Sequence, residues 1–224
     1  IAERAFNELD TLRFKTKEYE GKITGRLKIS SVSTGKYIIP FFLSDFLESH
    51  SGIDLLLDVT NKTKVLESLK NNEIDFAIVS VIPDDLKVEA ELLLENKLFL
   101  VGTKENKQQK ETLIFREDGS ATRQEMENYF EQKKGKNRKK LELTTNEAVK
   151  QAVRAGLGLS IMPLIGIRSA LKMDALKIIP IKGLPIITEW NLVHGSGKNL
   201  SPAAKALVEY IKLNKAAIIK EHFV

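Results

Sequence analysis

Residues 25–46 read GRLKISSVSTGKYIIPFFLSDF, and the change of character along them decides the fold. Leu27–Ser31 makes a short, largely apolar strand, the Ser33, Thr34 and Gly35 stretch interrupts it, and a helix follows over Tyr37–Glu48. The same order returns downstream, with strands at Leu55–Val59 and Asp75–Val79 separated by a helix over Val65–Asn71. A strand-helix-strand-helix-strand series points to a largely parallel sheet covered by helices, because each crossover has to pass over a sheet face. The uninterrupted leucines Leu55–Leu57 predict a strand buried on both faces. Leu98–Val101 supplies a further strand.

A second series starts at the Leu113–Phe115 strand and continues through a helix over Ser120–Glu131 and a strand at Leu141–Leu143. Thr144 and Glu147 have capping-box spacing, Val149 and Val153 lie one helical turn apart, and Gly156 and Gly158 end that helix before an apolar LSIMP strand. The repeat predicts an α/β protein of two lobes with a sheet in each, the chain crossing between them near Val101 and near the Trp190–Val193 strand. Ser201 and Pro202 open a terminal helix whose packed face carries Leu207, Val208 and Ile211. The expected division is a lead-in over 1–24, one lobe from 25–102 with 192–224, and a second lobe over 103–191. Within the lead-in, Ile1, Ala5, Leu9 and Leu12 form a helical stripe that needs a partner, either in its own domain or across an interhelical seam.

With 224 residues, 42% of them hydrophobic, the chain can bury a substantial core. No apolar run reaches the roughly 18 residues of a membrane span, no secretory leader is visible, and a cytoplasmic location is expected. The absence of cysteine removes disulfides and thiolate chemistry. A start at Ile1 suggests a trimmed chain with room for an upstream domain. The formal charge of +5 is accounted for by one segment, EQKKGKNRKK over 131–140, with six basic residues and one acidic. No aromatic residue interleaves there, so it reads as a solvated loop ahead of a DNA-contacting patch.

Catalytic chemistry finds little support. His50, His194 and His222 lack zinc-ligand spacing, Asp58 and Asp75 have no acid/base partner in sequence, and the GLG and GSG stretches match no phosphate loop. No catalytic residue, metal or cofactor is expected. Polar helix starts are the better candidates. Ser33 and Thr34 offer hydroxyls, Gly35 permits close backbone approach, and Ser120 and Thr122 in IFREDGSATRQEM form a second cradle that Arg116 or Arg123 can strengthen. Thr145 is a further candidate, with Thr60, Asn61 and Asn146 weaker ones. Each of these positions also reads as ordinary capping, and the two arginines as a salt-bridge network with Glu117 and Asp118.

Taken in order, GRLKISSVSTGKYIIPFFLSDF, NNEIDFAIV, FREDGSATRQEM, AVRAGLGLSIMP and NLSPAAKALVEYI resemble the effector-binding domain of LysR-type transcriptional regulators over nearly the whole chain. The resemblance implies two Rossmann-like lobes of the type 2 periplasmic-binding-protein kind, with residues 1–24 resembling part of the linker helix. It implies a small polar or anionic metabolite held between lobes by Ser33, Thr34 and Gly35 on one side and the Gly119–Thr122 loop on the other. It also implies dimers or tetramers, with domains side by side in opposite orientations, and promoter DNA bound by an N-terminal winged helix-turn-helix that has no match in this sequence. Effector occupancy would change the oligomer geometry and the spacing of the DNA heads. Two alternatives share the architecture: a solute-binding receptor for a small anion, and an enzyme of the porphobilinogen deaminase or prephenate dehydratase sort.

Overall fold

The computed structural model describes residues 23–103, 112–131 and 138–223. The expected lead-in helix and residues 132–137 of the basic segment lie outside the described residues.

Strand β1 (Thr24–Val32) runs into a 3-10 turn at Gly35–Tyr37 and helix α1 (Ile39–Ser49); β2 (Gly52–Thr60), α2 (Lys62–Lys70) and β3 (Phe76–Val79) follow. β1 is flanked by β2 and β3, parallel to both, as the crossover series requires. Pro40 sits in the first turn of α1, where its missing N–H is no loss, and the Asn61 side chain starts α2 by accepting from the Lys64 N–H at 3.0 Å. The three leucines of β2 do not behave as expected. Among the described residues β2 is an edge strand, with Ile53, Leu55 and Leu57 turned to the core and Leu56 48% exposed, so burial on both faces fails because none of the described residues covers the outer side.

The remaining chain contributes β4 (Val88–Gly102), β5 (Thr112–Arg116), α3 (Ala121–Glu131), β6 (Lys139–Leu143), α4 (Asn146–Arg154), β7 (Ser160–Pro163), α5 (Leu164–Lys172), β8 (Lys177–Ile178), β9 (Ile186–Gly195) and α6 (Pro202–His222). The Ser201 hydroxyl caps α6 by accepting from the Ala204 N–H at 3.2 Å, with Pro202 inside the first turn. Leu207 and Ile211 are fully buried, and Val208 packs partly against the same core. The expected Thr144–Glu147 capping box is displaced by one residue. Thr145 is the cap, accepting from the Ala148 N–H at 3.0 Å, while Glu147 turns to Lys150 and Gln151.

Buried side chains gather around two bodies. Leu27, Phe42, Phe46, Phe76, Trp190 and Leu207 belong to one core; Val101, Ile114, Val149, Val153 and Met162 belong to another. The protein is thus α/β with two lobes, but the two separate sheets predicted from sequence need correction. One seven-stranded ladder, β2-β1-β3-β9-β4-β7 with β8 on β4, runs through both lobes. The link is the antiparallel pair β4 and β9. Ala77–Val79 of β3 pairs with Asn191–Val193, whereas Leu98–Val101 of β4 pairs with Ser160–Pro163 of β7. Between these contacts the register shifts at Leu92/Leu94, an irregularity that lets a shared pair of strands bend from one lobe into the next. β5 and β6 pair separately, and β5 reaches β7 through the Leu113–Leu159 bridge. Gly158 allows that approach, since a Cβ there would lie 2.7 Å from the Thr112 carbonyl oxygen.

Candidate functional site

Polar helix starts from both lobes meet at the seam. Ser33, Thr34 and Asn61 from the first lobe and Arg116, Ser120 and Thr122 from the second line a pocket of about 10 Å³, together with Val32, Lys62 and Ala121. A water needs roughly 10–15 Å³ of such space. No metabolite therefore fits inside this pocket in this arrangement. Sharing one wall of this pocket is a chamber of about 450 Å³ between α2 and α3, lined by Lys62, Thr63, Glu67, Lys70, Asp118, Gly119, Ser120, Arg123, Gln124 and Glu127 among others.

Polar contacts cross the seam where α2 meets α3. The Lys62 N–H donates to the Gly119 carbonyl at 3.1 Å, Lys62 Nζ donates to Gln124 Oε1 at 3.1 Å, and Arg116 Nη2 approaches Ser33 Oγ at 3.4 Å. Gly119 has φ +77°, and a Cβ on it would lie 2.6 Å from Thr63 Oγ1, so its lack of a side chain lets α2 and α3 close on each other. On the other flank, Tyr37 lies over Gly166 of α5, where a Cβ would come 3.0 Å from the ring. Burial raises the Tyr37 phenol above its usual range, with Glu147 adding to the rise and Arg116 opposing it. Tyr37 is a neutral wedge at ordinary pH.

Arg116 is almost wholly buried and is held by Glu117 through two bonds of 2.7 Å, Nε to Oε2 and Nη2 to Oε1. Its positive charge is therefore matched locally while Nη2 still faces Ser33 and the Thr144 carbonyl. Ser120 caps α3: the Gln124 N–H donates to its carbonyl, and its hydroxyl lies 3.4 Å from the Arg123 N–H. The partial positive end of α3 thus points at the seam.

Other candidates fall elsewhere. Arg123 binds Glu127 and Glu142 at 2.9 and 2.6 Å; burial lowers its pKa, but these carboxylates outweigh burial and the net movement is upward. It lines the outer chamber and is held by ion pairs, with Glu127 and Glu142 and not with the expected Glu117 and Asp118, whereas Arg116 does pair with Glu117. Gly35 is pressed against Ser31 Oγ and Ile78, so its smallness serves the seating of the 3-10 turn. Thr60 contributes its carbonyl, which accepts from Ser33 Oγ at 3.0 Å. Thr145 is an exposed helix cap, whereas Asn146 beside it is buried, with Nδ2 lacking a partner among the described residues. The sequence reading passed over Lys62, Tyr37 and Gln124, and named Gly119 only within the Gly119–Thr122 loop. Position immediately after Asn61 was the available signal for Lys62.

Neither aspartate is poised for chemistry. Asp75 accepts from the Lys28 N–H and lies near Lys198; Asp58 accepts from Ser30. The histidines pack against Phe46, Phe76 and Phe41 respectively. No helix among the described residues is long and apolar enough to cross a membrane.

The family model for the LysR substrate binding domain matches residues 20–215. The chain belongs to the LysR family of transcription regulators. A RuBisCO operon transcriptional regulator of Allochromatium vinosum is 38% identical over 209 residues, covering 88% of this chain and 69% of that protein. The transcriptional activator CmpR of Synechocystis is 30% identical over 221 residues, 94% of this chain and 73% of CmpR. Among solved structures, the Synechocystis CcmR regulatory domain in complex with 2-PG superposes with a TM-score of 0.79 at 30% identity, covering 85% of this chain and 97% of that one. The effector-binding domain of QuiR in complex with shikimate, at 21% identity and a TM-score of 0.73, shares the fold. This LysR domain is the effector-sensing part of a regulator, and its two-lobed architecture is that of LysR regulatory domains; the family is not enzymatic.

Proposed function

We propose that the effector is a small anion, carrying a carboxylate or phosphate, that enters from the outer chamber and separates the lobes as it settles between Ser33, Thr34 and Asn61 on one side and Arg116, Ser120 and Thr122 on the other. The observation that carries this is the pocket of about 10 Å³ at which those six side chains meet. Its lining is donor-rich, two helix starts face it, and it is too small for any metabolite, so effector binding and lobe spacing are linked. CcmR, whose structure holds 2-PG, supports an anionic ligand class here. Residues 25–102 with 192–224, and 103–191, are the proposed moving bodies.

Ser33→Ala and Ser120→Ala, one from each lobe, provide the test. Each should weaken binding about tenfold, as loss of a hydrogen bond to a charged ligand does, when the chain is titrated with phosphate esters and carboxylic acids. Sensitivity to only one of the two replacements would overturn a bridging ligand.

Self-association as a dimer, or a tetramer in the whole regulator, accounts for the β2 edge, where Leu56 and Val59 are 48% and 40% exposed beside unpaired backbone groups. A stable dimer would bury more than roughly 1,000 Å². Sedimentation across concentration tests it. Sequence-specific promoter binding is proposed to reside in an N-terminal winged helix-turn-helix, in the cytoplasm, with no share for this domain. Retained preference of this chain for matched over scrambled promoter DNA at moderate salt would refute that division.

A further inference from the structure

Of the cations among the described residues that line the pocket or the chamber, Lys62 alone has no carboxylate bound to it. Arg116 is matched by Glu117, Arg123 by Glu127 and Glu142, and Lys70 lies 3.6 Å from Asp85. Lys62 differs: its ammonium donates to the neutral amide oxygen of Gln124 at 3.1 Å, and the Glu125 carboxyl is only near enough to feel its charge. It also lines both the pocket of about 10 Å³ and the chamber of about 450 Å³. The exposed acids Glu67 and Asp118 line the chamber alone. Lys62 is therefore the charge that stands between entry and seat.

We propose that Lys62 is a specificity-determining residue that selects effectors with two anionic groups over those with one. This rests on the anion-binding reading of the seam. The starts of α2 and α3 each present a partial charge of about +0.5, together enough for one negative charge, and Arg116 with Glu117 adds donors without net charge. A second anionic group requires a full cation. When the lobes separate, the Lys62 side chain exchanges its bond to a neutral amide for an ion pair with a carboxylate or phosphate, in which donor and acceptor are both charged. The Gln124 contact holds the ammonium at the seam beforehand, so little rotamer freedom is lost in the exchange.

A matched pair of probes separates the two charges: methylphosphonate carries the phosphonate alone, and phosphonoacetate adds a carboxylate. In calorimetric titrations at low salt the chain should prefer phosphonoacetate by about tenfold, the scale of one charge-assisted hydrogen bond. Lys62→Gln, which retains an amide able to meet Gln124, should bring that ratio close to one by costing phosphonoacetate more than methylphosphonate, and Lys62→Arg should keep the preference. A ratio unchanged in Lys62→Gln, or equal loss of both probes, overturns the role of Lys62 while leaving the anion site standing. Failure of both probes to saturate the unaltered chain overturns the anion site itself, and this inference with it.

Discussion

Replacing Gly119 with alanine should make the protein less stable and a better effector binder at the same time. Two costs follow from the geometry, and they belong to different states. The backbone at Gly119 has φ +77°, and holding an L-residue there costs about 1–2 kcal/mol however the lobes are placed. The new methyl would also lie 2.6 Å from Thr63 Oγ1 and 3.7 Å from Asn61 Cγ, both on the opposite lobe. That overlap exists only while the lobes are together and costs about 1–3 kcal/mol. If the effector binds a separated arrangement, weakening the closed one raises apparent affinity by about fivefold to a hundredfold, since less of the binding energy goes into separation. Thermal unfolding should fall by about 2–8 °C from the backbone cost. Thr63→Ala in the Gly119→Ala background removes the overlap, so affinity should return toward the original value with the unfolding temperature still depressed. Calorimetric titration and thermal scans of the three variants provide the readout. Gly119→Ala binding no tighter than the parent, or a double variant keeping the gain, would refute the linkage between seam closure and effector exclusion.

Four further outcomes are expected. Arg116→Ala strands the Glu117 carboxylate, 19% exposed, and should cost about 3 kcal/mol of stability; Arg116→Lys keeps the charge but loses the two-bond geometry, and chemical denaturation should place it between the two. Leu207→Ala, in the fully buried face of α6, should cost about 2–5 kcal/mol by the same measurement with effector affinity unchanged in the folded protein. Thr145→Ala removes the cap bond to Ala148 and should cost about 1 kcal/mol, again in chemical denaturation. Hydrogen bonds from Lys150 and then Gln151 hold the Glu147 carboxyl below its usual range. The stabilisation it gives is therefore complete above the ordinary glutamate value of about 4.3 and is lost as pH falls through the lowered one, a decline that Glu147→Gln should shrink in acid titrations of stability.

The helix-start hydroxyls were legible because residue type and position agree: Ser33 and Ser120 each follow an apolar strand and precede a helical pattern, and in a strand-helix fold those starts face the same edge of the sheet. Leu55–Leu57 misled because a run of leucines records hydrophobicity and not sheet order; only the pairing of β1 with both β2 and β3 places β2 at the edge. β4 spans 15 residues where four were predicted, since Glu89, Glu91, Glu95 and Lys97 break the apolar run along a strand that leaves much of one side to solvent. In Thr144–Thr145 two equivalent caps adjoin, and the Ala148 N–H decides between them. Lys62 was hidden for a different reason. A lysine in the first turn of a helix opposes the dipole and reads as a solvated residue, so its place at the seam emerges only when the second lobe brings Gly119 and Gln124 to it.

The strength of the seam sets what an effector has to accomplish. Parting the lobes where α2 meets α3 would exchange the Lys62–Gly119, Lys62–Gln124 and Arg116–Ser33 contacts for water, and at about 0.5–1.5 kcal/mol net each these three contribute about 2–4 kcal/mol to the closed arrangement. With those three contacts alone opposing it, a separated form would hold roughly 0.1–3% of the population, inside the range from which ligands commonly draw. A ligand with an intrinsic dissociation constant of about 1 μM for the separated form would then appear to bind with one of about 30 μM to 1 mM, a reduction set by the competent fraction. Affinity for the separated form is still not enough for a switch. An anion gripped by Ser120 and α3 alone would bind every separated arrangement equally and leave the interlobe angle free, whereas one gripped also by Ser33 or Asn61 is satisfied at a single spacing. Only the second kind has a differential free energy between lobe arrangements, and only such a difference can be passed on through the β4–β9 strands that the lobes share.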